Sequence, residues 1–272
     1  MAVDDTPPTA TDAGSDRPFV DGLLSSLRYL LGLVVTFALF HTAATQWQST
    51  RGEAGWAVAA LVLTSLLLVQ RCVLRHAWRR ALAPLGRPRP RGMVTSGVLG
   101  AALLVVPAAY SAITRAPATW YPGGGALLAG LFLQAGVAEE ALFRGYGFGL
   151  LRPGRTFRRA AWLACLPFAG VHALLFATLS WPVALASLAL ALLISFPLAH
   201  LYELCGRRIW GPAIVHAVVQ AVPKLVELGD GPLFPLVWMV AAALLPYGAF
   251  LVPRDPPYRE GAPRAAPVSA SK

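Results

Sequence analysis

Two runs in this 272-residue chain, AVAALVLTSLLLV and VALASLALALLISF, hold no charged residue. No water-facing helix reads that way, because an amphipathic helix needs a polar stripe on one side. A helix crosses a bilayer with roughly 20 mainly apolar residues. Eight stretches approach that length, at about 29–45, 55–74, 94–114, 125–150, 160–179, 183–202, 209–225 and 233–252. The expectation is an all-α membrane protein, a polytopic bundle of about eight transmembrane helices. Composition agrees: 56% of the residues are hydrophobic, 13% are charged, and the mean hydropathy is +0.58. Soluble domains run near 25% charged. A cytosolic globular enzyme, a disordered chain and an ordinary nucleic-acid-binding domain are thereby excluded.

The net charge of +10 then needs an account. Nineteen of the 23 basic residues fall in the tails, at the start of the first span, and in the loops after spans two, four and six. The alternate loops hold only Arg51, Arg115 and Lys224, and Arg144 lies within span four. This asymmetry is the positive-inside pattern, so both termini are expected in the cytosol of a multi-pass cell-membrane protein. No nucleic-acid partner is expected, since no soluble domain exists to carry a basic patch. Residues 1–22, rich in Asp, and 253–272, rich in Pro, are expected to be disordered cytosolic tails flanking a membrane domain at 23–252. The three cysteines are far apart and show no disulfide or zinc-finger spacing.

Span four breaks the apolar pattern, with Glu139, Glu140 and Arg144 in the segment GALLAGLFLQAGVAEEALFRGYGFGLL. Each uncompensated charge near the bilayer centre costs at least ~2.5–3.5 kcal/mol on insertion scales. Glu140 and Arg144 are four residues apart and share a helix face, where they can pair. Glu139 is rotated about 100° away and points to another partner. Histidines enter from two further spans, in FAGVH ending at His172 and in HAVVQ from His216 to Gln220. At a rise of 1.5 Å per residue, Glu139, His172 and His216 lie ~16, ~18 and ~10 Å from the cytosolic ends of their spans. Three helices thus bring Glu, His and His to one layer. That set could also ligate zinc, with a position open for water.

Glu139-Glu140-x3-Arg144, Phe168-x3-His172 and His216-x3-Gln220, in that order on separate helices, resemble the CPBP (Abi) family. This group of CAAX proteases and bacteriocin-processing proteins includes the type II CAAX prenyl endopeptidases. The resemblance covers a core at about 125–225 and implies intramembrane proteolysis. Glu139 with His172 would polarise the attacking water, Glu140 with Arg144 would fix the architecture, and His216 with Gln220 would form an oxyanion hole. The family pattern has Asn or Asp where this chain has Gln220, which lengthens that arm by a methylene. Glutamate-type chemistry without a cofactor is expected; zinc on Glu139, His172 and His216 is the alternative. The partners implied are membrane lipid and a peptide or lipidated-protein substrate, the oligomeric state being open. A non-catalytic immunity or scaffold protein of the same fold is the rival reading, and a proton-coupled transporter would require repeats that the sequence lacks.

Overall fold

The computed structural model describes residues 22–229 and 233–254. The tails expected at 1–22 and 253–272 fall almost wholly outside those residues. The chain is an all-α multi-pass membrane bundle. Seven helices are long and apolar enough to cross a bilayer: α1 (Leu23–Gln46), α2 (Gly55–Val73), α4 (Pro90–Thr114), α5 (Gly124–Leu151), α6 (Phe157–Ala177), α7 (Trp181–Leu204) and α9 (Phe234–Leu251). A short helix, α3 (Trp78–Leu82), lies between α2 and α4. Leu30, Val94, Ile113, Leu193 and Leu244 remain exposed on the outer faces. Apolar side chains there fit lipid, which offers them no hydrophobic penalty.

The stretch expected at 209–225 forms α8 (Trp210–Leu225), whose 16 residues fall short of a full span. It nevertheless runs from one face of the bundle to the other. Near its start, the Trp210 indole donates to the carbonyls of Leu85 and Gly86, and Ile209 N donates to Pro84 O. At the same face, Arg89 N, just before α4, donates to Cys205 O. At their other ends, α4 and α8 lead into two short strands, β1 (Ala118–Trp120) and β2 (Val226–Leu228). These pair antiparallel, Thr119 opposite Glu227. So α4 and α8 run parallel, and α8 packs along α4 and against α5. It can be short because most of it is covered by protein rather than lipid, with ten of its residues buried.

The face where α4 and α8 begin is the arginine-rich one. There Glu203, buried at the end of α7, accepts from Arg152 Nε and from Arg254 NH1. On the opposite face the loop after α1 folds back onto α5. Ser49 Oγ donates to Gln134 Oε1 at 2.6 Å, and Gln134 Nε2 donates to Ser49 O at 3.0 Å. Gly130 makes that approach feasible, since a Cβ there would fall 1.8 Å from Gly52 O.

Candidate active site

α5 is not a regular α-helix. Phe132–Ala138 and Ala141–Phe148 are π-helical, and Glu139 and Glu140 sit at the junction between them. π-Turns are rare and concentrate where a helix must re-aim side chains at a functional site. One turn before the glutamates, Gly136 lets α5 lie directly on α8. A Cβ at that position would come 2.8 Å from Ala213 O. Three residues after Ala213, and on the same side of α8, comes His216.

This close approach joins the two helices by a buried charged cluster. Glu140 Oε1 accepts from Arg144 NH1 at 3.0 Å and from His216 Nδ1 at 2.7 Å. An ionised carboxylate can only accept, so Nδ1 carries the proton and Nε2 is the ring nitrogen left to face elsewhere. That Nε2 lies 3.8 Å from Glu139 Oε2. The two carboxylates differ sharply in access: the Glu140 side chain is 0% exposed and that of Glu139 14%. A water or substrate can therefore meet Glu139 and not Glu140.

α6 closes the third side through Phe168, which is fully buried. The guanidinium of Arg144 stacks over its ring at 4.3 Å. The rings of His172 and His216 meet it edge-on, with centroids at 4.8 and 5.9 Å. A desolvated cation over an aromatic face is worth about 2 kcal/mol. That helps an arginine bonded to only one carboxylate oxygen to stay buried. His172 is half-buried, and its Nδ1 donates to Phe168 O at 2.7 Å, a bond within the helix that leaves Nε2 as the free ring nitrogen. His172 is within electrostatic reach of both Glu139 and His216.

Gln220 follows His216 by one turn on α8 and is half-buried. Its amide makes no hydrogen bond among the described residues. His216, expected beside Gln220 as an oxyanion donor, is instead tied by Nδ1 to Glu140. The i, i+4 spacing puts Gln220 on the same helix face but one turn farther along. Among the described residues, no three His, Cys, Asp or Glu side chains converge closely enough to hold a metal ion. Glu139, His172 and His216 as placed are therefore not a ligand set.

All six of these side chains lie on α5, α6 and α8, within one continuous stretch. Residues 121–222 match the family model for type II CAAX prenyl endopeptidase Rce1-like proteins. The resemblance carried by the three motifs thus holds over that segment, which is similar to the CAAX-type intramembrane proteases. No curated protein and no solved structure matches the chain. The Rce1-like segment begins just after β1 and ends three residues before the end of α8, leaving α1, α2, α4, α7's neighbour α9 and both tails outside it.

Two residues near the site escaped the motif reading. Phe168 was visible only as a motif letter, yet it touches Arg144, His172 and His216 together. Lys224 lies beyond the matched stretch, but it is four residues past Gln220 and eight past His216, on the same face of α8. That spacing was the available signal.

Proposed function

We propose that this protein is an intramembrane endopeptidase that cleaves a membrane-associated, CAAX-like peptide by a water molecule activated at Glu139. The observation that carries this reading is the division between the two adjacent glutamates. Arg144 and His216 occupy Glu140, whereas Glu139 keeps an accessible carboxylate 3.8 Å from His216 Nε2 and within electrostatic reach of His172.

Glu139, with His172, takes a proton from the water as its oxygen attacks the scissile carbonyl carbon. The C=O π pair moves onto oxygen, forming a tetrahedral oxyanion. The Gln220 amide is the donor poised for that oxygen, and a donor in a dry site is worth about 2.7–4 kcal/mol. Collapse re-forms the carbonyl and breaks the C–N bond, and Glu139 passes the proton to the departing amine. General acid–base assistance of this kind contributes about 10²–10⁴-fold. The arginine-rich face lies in the cytosol and anchors to anionic lipid, and the substrate approaches from that side or from the bilayer.

The test is hydrolysis of an S-farnesylated peptide, whose cysteine is fourth from the C-terminus, by purified protein in detergent. Wild type should release the C-terminal fragment and Glu139→Gln should not, with equal thermal midpoints for the two. If Glu139→Gln cleaves as fast as wild type, or wild type never cleaves while well folded, the reading fails and a non-catalytic role takes its place.

A further inference from the structure

We infer that α3 and the short turn behind it form a wedge docked on anionic lipid. Trp78 and Leu82 seat at the headgroup boundary, and that seat holds the start of α8 against α5. The inference rests on the proposed function only for the contact of the arginine-rich face with anionic lipid.

Residues 71–91 hold seven arginines and no Asp or Glu. All seven arginines are exposed. Trp78 and Leu82, one turn apart on α3, are 51% and 44% exposed, whereas Ala81 beside them is buried. Beside a bilayer this is the pattern of an interfacial helix, with apolar side chains at the acyl boundary and basic ones among the phosphates. Tryptophan in particular concentrates at that boundary. Glu203, buried on the same face, is already met by Arg152 and Arg254 and does not compete for the loop.

The turn after α3, Ala83–Leu85, reaches both helices that carry the buried charged cluster. Pro84 O accepts from Ile209 N at 3.0 Å, and the Trp210 indole donates to Leu85 O and Gly86 O at 3.2 and 3.1 Å. These bonds hold the first turn of α8, within two turns of His216. On α5, Gly145 follows Arg144 and faces the same turn, since a Cβ there would fall 3.2 Å from Pro84 Cβ. A cavity lined by Gln70, Ala81, Pro84, Leu85, Ala141 and Gly145 leaves the wedge room to shift. Lifting α3 out of lipid therefore loosens the start of α8, the helix that brings His216 to Glu140.

The experiment places the full chain in nanodiscs of phosphatidylcholine alone, or of phosphatidylcholine with phosphatidylglycerol. A nitroxide on Leu82→Cys, in a Cys72→Ser background, reports depth by its accessibility to oxygen against a water-soluble nickel chelate. Amide exchange at residues 209–216 of unlabelled protein reports the hold on α8. The label should lie in lipid, and deeper with phosphatidylglycerol. Exchange should then slow about fivefold, the equivalent of one arginine near an anionic surface. Trp78→Ser/Arg79→Gln/Arg80→Gln, which changes only exposed side chains, should abolish that slowing.

A water-exposed label in both discs overturns the inference, and so does slowing that survives in the triple variant. Equal exchange of the wild type in the two discs overturns it even where the variant does not fold. A label shielded alike in both discs, and freed by deleting residues 2–21 with their five Asp, would give the face to the chain's own N-terminal segment and also overturns it. The full lipid response without hydrolysis of the farnesylated peptide keeps the wedge and removes the peptidase; hydrolysis without the response does the reverse.

Discussion

His216 Nδ1 and Arg144 NH1 meet the same oxygen, Glu140 Oε1, at 2.7 and 3.0 Å. One carboxylate therefore holds α8 to α5 while Phe168 braces the arginine from α6. The neighbouring Glu139 takes no hydrogen bond from this knot, lies 3.8 Å from His216 Nε2, and keeps 14% of its side chain exposed. The division of labour between two adjacent acids is thus built from three helices rather than from their local sequence.

Removing the partner of a buried charge costs more than removing an exposed one. Arg144→Met should leave Glu140 buried with His216 as its sole partner, destabilising the protein by about 3–5 kcal/mol. Glu139→Gln touches a partly accessible side chain and should leave the unfolding midpoint nearly unchanged. Denaturant titration in mixed micelles followed by tryptophan fluorescence distinguishes the two. Comparable losses in both variants would contradict the assignment of Glu140 as the structural acid.

Gly136 is required by geometry, since the Ala213 carbonyl occupies the place of its Cβ. Gly136→Val should push α8 off α5, at about 1–3 kcal/mol for an overpacked contact. It should also lower hydrolysis beyond the loss of folded protein, because the His216–Glu140 bond spans that same contact. Activity normalised to the folded fraction checks this, and an unchanged value would sever Gly136 from the site.

Much of this was legible in the sequence, and the limits have physical causes. Uncharged runs fix helices in a membrane whatever they pack against, so the bundle and its basic face could be read directly. Helical spacing gave Glu140–Arg144. It could not give His216–Glu140, which lies 76 residues apart in sequence and depends on α8 touching α5 at Gly136. The π-turns around Glu139 also lie beyond periodicity, which assumes one residue count per turn. Nor does spacing link Glu203, at the end of α7, to the Arg152 and Arg254 with which folding buries it.

The metal-free reading makes its own prediction. Hydrolysis should survive dialysis against 1,10-phenanthroline, with zinc below stoichiometric in the active protein by elemental analysis. Loss on chelation and recovery on adding zinc would instead require Glu139, His172 and His216 to close into a ligand set.

His76, in the loop before α3, provides a pH test outside the spans. Burial, reinforced by Arg80, lowers its pKa from 6.5 to about 4, so the fold holds the neutral ring. Above pH 6.5 neither the folded nor the unfolded chain protonates it, and it adds no pH dependence. Between pH 6.5 and about 4 the unfolded chain takes up the proton first, so stability falls with pH. His76→Asn should flatten that part of the stability–pH curve. An equal slope in the variant would assign the loss to other groups.

Gln220 should act on the rate rather than on binding. Its amide is unengaged by described residues and lies one turn of α8 beyond the imidazole that Glu140 holds. A donor needed only when charge develops on the carbonyl oxygen contributes to kcat and not to ground-state affinity. Gln220→Ala should therefore lower kcat about 10²–10³-fold with KM little changed. Gln220→Asn keeps the amide but withdraws it by one methylene, so it should fall between wild type and Ala. Steady-state kinetics on the farnesylated peptide reads both. A rise in KM with kcat intact would make Gln220 a substrate-binding side chain, and the oxyanion would then need a different donor.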